Sequence, residues 1–249
     1  MLNLASLLLE SAARRADAPA ILEGESVIGY RDLADRAARM AAGLEGLGVA
    51  RGDHVALLLP NVPQFTIAYY ACQLLGAVAV PLNVLLTPEE VRVLLEDSAA
   101  VALVAWEGHL RTAREAVLLA PRCRHLVLAA RDEAPDTVDG LPTVAGLART
   151  ARRVDDLPDT RPDDTAVILY TSGTTGKPKG AELTHFNLWW NATTMARLFM
   201  EEGSTTVTLG VLPLFHSFGQ TVIQNATIAA GGSMALLPRY EPGAALAAI

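Results

Sequence analysis

The strongest constraint on the fold is an alternation of short apolar runs and helical patterns along residues 54–129. Runs at 54–59, 77–80, 100–105 and 126–129 have the length and apolarity of buried strands. Between them, residues 64–75, 87–97 and 109–120 read as helices; in the first, Phe65, Ala68, Cys72 and Leu75 recur on one face before Gly76 stops it. The second opens on Thr87-Pro88-Glu89-Glu90, where Thr87 can cap, Pro88 suits the first turn and Glu90 completes a capping box. An earlier helix from Tyr30 places Leu33, Ala37, Met40, Ala41, Leu44 and Leu47 at helical spacing and ends at Gly48. Strand–helix alternation of this kind predicts an α/β fold, a mostly parallel sheet flanked by helices.

Over residues 131–164 the texture changes. Six Asp or Glu residues fall within 131–156, prolines punctuate the stretch, and apolar periodicity weakens. This predicts an acidic, solvated connection at 131–164 between a first α/β subdomain, 1–130, and a second, 165–249. In the second, 166–170 and 206–212 read as strands, 187–200 and 220–230 as helices, Gly231-Gly232 as a stop, 233–237 as a strand and 242–249 as the start of another helix.

With 249 residues, 51% hydrophobic and 19% charged, the chain can bury a sizeable core. A net charge of −7 without any basic run argues against nucleic acid as a partner. Cys72 and Cys123 lack a C-x-x-C spacing, so neither a disulfide framework nor a zinc site is suggested, and both read as core. The N-terminus has no basic leader, and no window approaches the roughly 20 apolar residues of a membrane span, so a cytoplasmic location is expected.

The most specific stretch is 170–180, Y-T-S-G-T-T-G-K-P-K-G, directly after the apolar run 166–170. Gly173, Gly176 and Gly180 let backbone approach a ligand, Thr171, Ser172, Thr174 and Thr175 supply hydroxyls, and Lys177 and Lys179 supply charge. Together these are the donors a polyphosphate needs. The Walker A pattern fails on spacing: Thr171 stands where its first glycine belongs, and Pro178 follows Lys177 in place of Ser or Thr. A dinucleotide G-x-G-x-x-G is absent too, since Arg51 occupies the third glycine position after Gly46 and Gly48.

On these residues the stretch resembles the phosphate loop of the adenylate-forming superfamily: acyl-CoA synthetases, firefly luciferase and peptide-synthetase adenylation domains. The likeness extends to H-V-A-L-L-L-P-N at 54–61 and G-A-V-A-V-P-L-N at 76–83, in the order of that family's N-terminal half. A further stretch, L-P-L-F-H-S-F-G at 212–219, resembles the Pro-x-Phe-His segment of acyl- and aryl-CoA synthetases, in which the imidazole lies beside the carboxylate and the adenylate phosphate. Peptide-synthetase domains usually carry Phe-Asp there. Phe218-Gly219-Gln220-Thr221 looks most like fatty-acid members. Taken alone, His216 would be read as a structural histidine; the resemblance gives it a site. His54, His109, His125 and His185 lack such context, although His185 follows the loop closely enough to brace it.

The resemblance implies an ATP-dependent acid–thiol ligase using ATP, Mg²⁺ and CoA on a small-molecule carboxylic acid, fatty acids being favoured, with a homodimer left open. It implies that Thr171, Ser172, Gly173, Thr174, Thr175, Gly176 and Lys179 grip the β/γ-phosphates, with Thr171 near the metal, Lys179 and His216 catalytic, and Lys177 supporting at most. The family's later motifs, a Tyr-Gly-x-Thr-Glu, a Thr-Gly-Asp and a C-terminal domain with its lysine, have no counterpart. The expectation is therefore an N-terminal portion that does not complete catalysis alone. Two alternatives stay open: an adenylate-former that loads a carrier protein, and a non-catalytic nucleotide-binding module.

Overall fold

A computed structural model describes residues 1–131, 134–150, 153–154, 156–171, 178–200 and 206–248. The chain opens with α1 (Ser6–Arg14), the hairpin β1 (Pro19–Glu23) and β2 (Ser26–Gly29), and α2 (Tyr30–Gly46). The alternating stretch follows as β3 (His54–Leu58), α3 (Pro63–Leu75), β4 (Val78–Pro81), α4 (Pro88–Asp97), β5 (Ala102–Trp106), α5 (Leu110–Leu118) and β6 (His125–Ala129). Then come β7 (Thr137–Val138), β8 (Leu141–Pro142), α6 (Val144–Thr150), β9 (Thr165–Thr171), β10 (Lys179–Thr184), α7 (His185–Phe199) and β11 (Val207–Gly210). A π-helix (Gly219–Ala226) runs into α8 (Thr227–Ala230), followed by β12 (Ser233–Leu236) and α9 (Pro242–Ala247).

The larger sheet has the order β10-β9-β4-β3-β5-β6, parallel except for the antiparallel edge strand β10. Its central strand is apolar on both faces because both are covered. Val55 and Leu57 of β3 join the core formed with α2 and α3, while Ala56 and Leu58 join a second cluster under α4 and α5. Helix α3 is buried almost all round, consistent with its uniform apolarity, and Gly76 closes it in the left-handed region at φ 72°. At α4 the expected capping box forms: Thr87 accepts from the Glu90 amide, and Glu90 accepts from the Thr87 amide.

Two expectations need revision. Both main sheets draw strands from either side of 131–164, so they cross the expected division into 1–130 and 165–249. The smaller sheet, β11-β12-β1-β2, pairs β1 in parallel with β12, and β9 completes the larger sheet beside β4. Sheet partners are chosen by long-range burial, which composition along the chain does not register. The stretch 131–164 also holds more than a solvated connection. It contains α6, which packs on α2 where Gly43 lies so close to Leu147 that an added Cβ would come within 2.7 Å of the leucine Cβ.

Side chains near the N-terminus close the smaller sheet. Ser11 Oγ donates to the Ile228 carbonyl at 2.6 Å, and the buried Tyr30 hydroxyl donates to the Gly232 carbonyl at 2.7 Å. Tyr30→Phe is expected to lower stability by about 1–2 kcal/mol, because a buried carbonyl loses its partner while the ring still fills its place. Urea unfolding of the two proteins measures it; an unchanged midpoint would remove that bond from the account of how α2 holds β12.

Candidate functional site

Strands β3, β4 and β9 run parallel, so their carboxyl ends share one edge of the larger sheet, the end at which open α/β sheets bind ligands. Thr171 is the last residue of β9 and is exposed there. Directly opposite, in register, stands Lys179, the first residue of β10 and likewise exposed. Thr171 and Lys179, which flank the hydroxyl- and glycine-rich residues in sequence, thus pair across the β9–β10 hairpin. Ser172, Gly173, Thr174, Thr175, Gly176 and Lys177 lie outside the described residues.

The base of the hairpin is anchored. Tyr170 donates its hydroxyl to the Asp97 carboxylate at 2.6 Å, and burial together with that carboxylate holds the phenol well above its ordinary range. Gly180 faces Tyr170 across the pair, where a Cβ would meet the Ile168 side chain at 2.9 Å and the Tyr170 ring at 3.3 Å.

Beyond β10, Thr184 and Asn187 form a capping box at the start of α7. The next residue, His185, is 1% exposed, and its Nδ1 accepts a hydrogen bond from the Leu4 amide at 3.1 Å. Asn3 adds bonds to the Gln73 carbonyl at 2.9 Å and Thr160 Oγ1 at 3.2 Å. His185 thus joins the N-terminal segment to the start of α7. Burial lowers its pKa to about 4, with Asp164 pulling it up and Arg51 pushing it down to smaller extents.

A histidine of pKa about 6.5 when unfolded and about 4 when folded leaves the unfolded chain binding more protons between those values. Its contribution to stability is whole above pH 6.5 and is lost as pH falls toward 4. At 1.36 kcal/mol per unit this amounts to about 3 kcal/mol. Urea midpoints at pH 7 and pH 4.5 should therefore fall further for the unmutated chain than for His185→Asn; equal falls would count against the assignment.

His216 belongs to the segment that leaves β11. It is exposed at a turn in which its amide donates to the Pro213 carbonyl at 3.0 Å and its carbonyl accepts from the Gln220 amide at 2.9 Å. Its Nδ1 accepts from the Phe218 amide at 3.4 Å, which leaves Nε2 as the N–H able to donate outward. The segment is tied to the larger sheet by Asn61, three residues after β3, through Gly210, Leu212 and Leu214. Because β4 alone separates β3 from β9, the His216 segment and the hairpin base are anchored at the same sheet edge about 10 Å apart, two strand spacings.

Below His216 the π-helix lies on α3 through buried polar contacts: Thr66 donates to Gln224 at 2.8 Å and Tyr70 to Asn225 at 2.9 Å. Burial pushes both Tyr69 and Tyr70 above the usual phenol range, so they remain neutral donors. Burial likewise pushes the Cys72 and Cys123 thiols up to about 12, in keeping with both reading as core.

For a metal, Thr171 offers one hydroxyl, and among the described residues no cluster of three or more His, Cys, Asp or Glu could hold an ion. Sequence reading passed over Asn61 and β10. Asn61 carried a local signal, a Pro-Asn-x-Pro turn between strand and helix, but its partners lie about 150 residues away.

These features define the class of protein: an α/β fold whose parallel sheet carries Thr171, Lys179 and the Asn61-held His216 segment at its carboxyl edge. The chain belongs to the AMP-binding enzyme family, whose model matches residues 8–249. It is 36% identical over 232 residues to a feruloyl-CoA synthase of Amycolatopsis sp, covering 93% of this chain and 43% of the relative. It is 32% identical over 264 residues to a long-chain-fatty-acid–CoA ligase of Bacillus subtilis, covering 96% and 47%. The chain thus spans about half the length of the curated relatives it matches. Among solved structures it is similar to ATP-bound MatB from Rhodopseudomonas palustris (TM-score 0.86, 29% identity, 99% of this chain and 47% of that one). It is also similar to the inhibitor-bound N-terminal domain of FACL13 from Mycobacterium tuberculosis (TM-score 0.88, 27% identity, 100% and 60%). Among the described residues no helix is long and apolar enough to cross a membrane.

Proposed function

We propose that this chain is the first part of an ATP-dependent acyl-CoA synthetase. A carboxylate resists attack by a thiol because it is resonance-stabilised and oxide is a poor leaving group. In the proposed first step the substrate carboxylate attacks the α-phosphorus of ATP; the new acyl–phosphate bond forms as the bond to pyrophosphate breaks. In the second, the CoA sulfur attacks the acyl carbon, its proton is lost, and AMP departs.

The observation that carries this reading is the register of Thr171 against Lys179 at the base of the loop, at the open edge of the sheet. There Lys179 meets charge growing on pyrophosphate, and Thr171 with residues 172–176 donates to the β/γ-phosphates. Mg²⁺, when bound with ATP, supplies further neutralisation of that charge. His216 directs its Nε2–H toward the carboxylate and α-phosphate. A cytoplasmic location belongs to this reading.

Phe218-Gly219-Gln220-Thr221 favours a fatty acid, and a second reading, an aryl-alkenoic acid, is favoured by the 36% identity to a feruloyl-CoA synthase. Acid-dependent ATP–pyrophosphate exchange across a panel of fatty and cinnamic-type acids tests both, using the protein that carries this chain with its C-terminal continuation. No exchange with any acid would defeat the reading. The 249-residue chain alone is expected to form no acyl-CoA, because its relatives are about twice as long.

A further inference from the structure

We propose that Asn61 is the positioning residue for His216. The residue is 5% exposed and uses its side-chain amide in both senses. Nδ2 donates to the carbonyls of Gly210 at 3.0 Å and Leu212 at 2.9 Å, and Oδ1 accepts from the Leu214 amide at 2.9 Å. The partners fix the orientation of the amide, since two can only accept and one can only donate. One planar group thus holds alternate residues of the segment that leads from the end of β11 to His216.

The platform beneath Asn61 is stiff. Pro60 and Pro63 fix φ on either side of the Asn61-Val62 pair, Val62 donates its amide to the Pro60 carbonyl at 2.9 Å, and Pro63 starts α3. On the far side of His216, Gly219 and Gln220 open the π-helix, both buried, and its polar contacts with α3 hold it in place. His216 therefore sits on a five-residue bridge, 215–219, between Leu214, fully buried and clamped by Asn61, and Gln220, also fully buried. The first half of the bridge has Asn61 as its side-chain anchor, so Asn61 sets where the imidazole stands while touching no substrate itself. That consequence for catalysis rests on the proposed synthetase reading; the clamp does not.

The test uses histidine-labelled protein and amide hydrogen exchange. In the unmutated 249-residue chain the Leu214 amide should exchange more slowly than that of exposed Ser217. In Asn61→Ala, exchange at Leu214 should rise about tenfold or more, the scale of a lost hydrogen bond, and the His216 ring resonances should move toward those of free histidine. Asn61→Asp keeps the acceptor for Leu214 but turns a carboxylate on two carbonyls, and should fall between. Protection in β3, β4 and β5 reports that each variant is folded. Unchanged His216 resonances and Leu214 exchange in a folded Asn61→Ala would overturn the proposal. If that variant does not fold, a Leu214 amide exchanging as fast as Ser217 in the unmutated chain would overturn it equally. In the competent synthetase, Asn61→Ala should lower the adenylation kcat about 10²-fold with the KM for ATP little changed, the pattern of a misplaced group. Unmutated enzyme without adenylation would defeat the synthetase reading, leaving the exchange and resonance results to decide the clamp.

Discussion

Replacing Lys179 by alanine is expected to slow acid-dependent ATP–pyrophosphate exchange about 10²–10³-fold, the usual loss when one preorganised donor to a developing charge is removed. The expectation follows from position. Lys179 faces Thr171 in register at the mouth of the hairpin, on an edge strand whose first four residues are exposed. An exposed edge lysine contributes little to folding, so the variant's stability should stay within about 0.5 kcal/mol of the original. A large kinetic effect with an unchanged unfolding midpoint would then place Lys179 in the chemistry. Exchange at the unmutated rate would remove it from the mechanism and leave the proposed polyphosphate grip to residues 171–176.

The second large effect is expected at Gly219, where alanine should destabilise the chain by about 1–3 kcal/mol, the usual range for a forced fit. A Cβ built there lands on the Pro213 carbonyl oxygen, comes within 2.7 Å of its carbon, and lies 3.1 Å from the Leu212 oxygen. All three are backbone atoms, so no rotamer change relieves the contact. The chain at 212–213 would have to move, and Leu212 is one of the carbonyls Asn61 holds. Under the synthetase reading the same substitution should therefore also impair adenylation by displacing His216. Gly46→Ala is the matched control. It ends α2 on the surface with nothing within 4 Å of a new Cβ, and should raise stability by about 0.4–1 kcal/mol. Urea midpoints read both changes, and a Gly219→Ala midpoint equal to the unmutated one would show that the turn accommodates a side chain.

Features that depend on neighbours in the chain were legible in the sequence. Thr87, Pro88 and Glu90 specify the start of α4 by contacts within three residues, and the structure shows that box formed. The apolar runs at 54–59 and 77–80 gave strands because a central parallel strand is apolar on both faces. The helix expected at 220–230 is present, but residues 219–226 are wound as a π-helix, in which the side-chain oxygens of Gln220 and Gln224 accept from Tyr69 and Thr66 of α3.

The candidate site divides the same way. The donors of the hairpin loop and the imidazole of His216 stand out as residue types at short spacings, because each is a local concentration of chemistry. Strand β10 did not stand out: it is exposed over most of its length, so burial imposes no alternation on it, and only its pairing with β9 makes it a strand. Nor did the tie between β3 and the His216 segment, since a single asparagine gives no local sign of the three backbone groups it will meet.

By itself, then, the sequence determined the parallel α/β class, the helix caps and the chemical make-up of the two site segments. All of these arise from interactions within a few residues or from burial averaged along one element. The tertiary structure alone decided that β1 pairs with β12 across the chain, that Lys179 stands opposite Thr171, and that Asn61 holds the approach to His216. Such pairings join groups distant in sequence, and their partners are selected by what the whole fold must bury and hydrogen-bond at once.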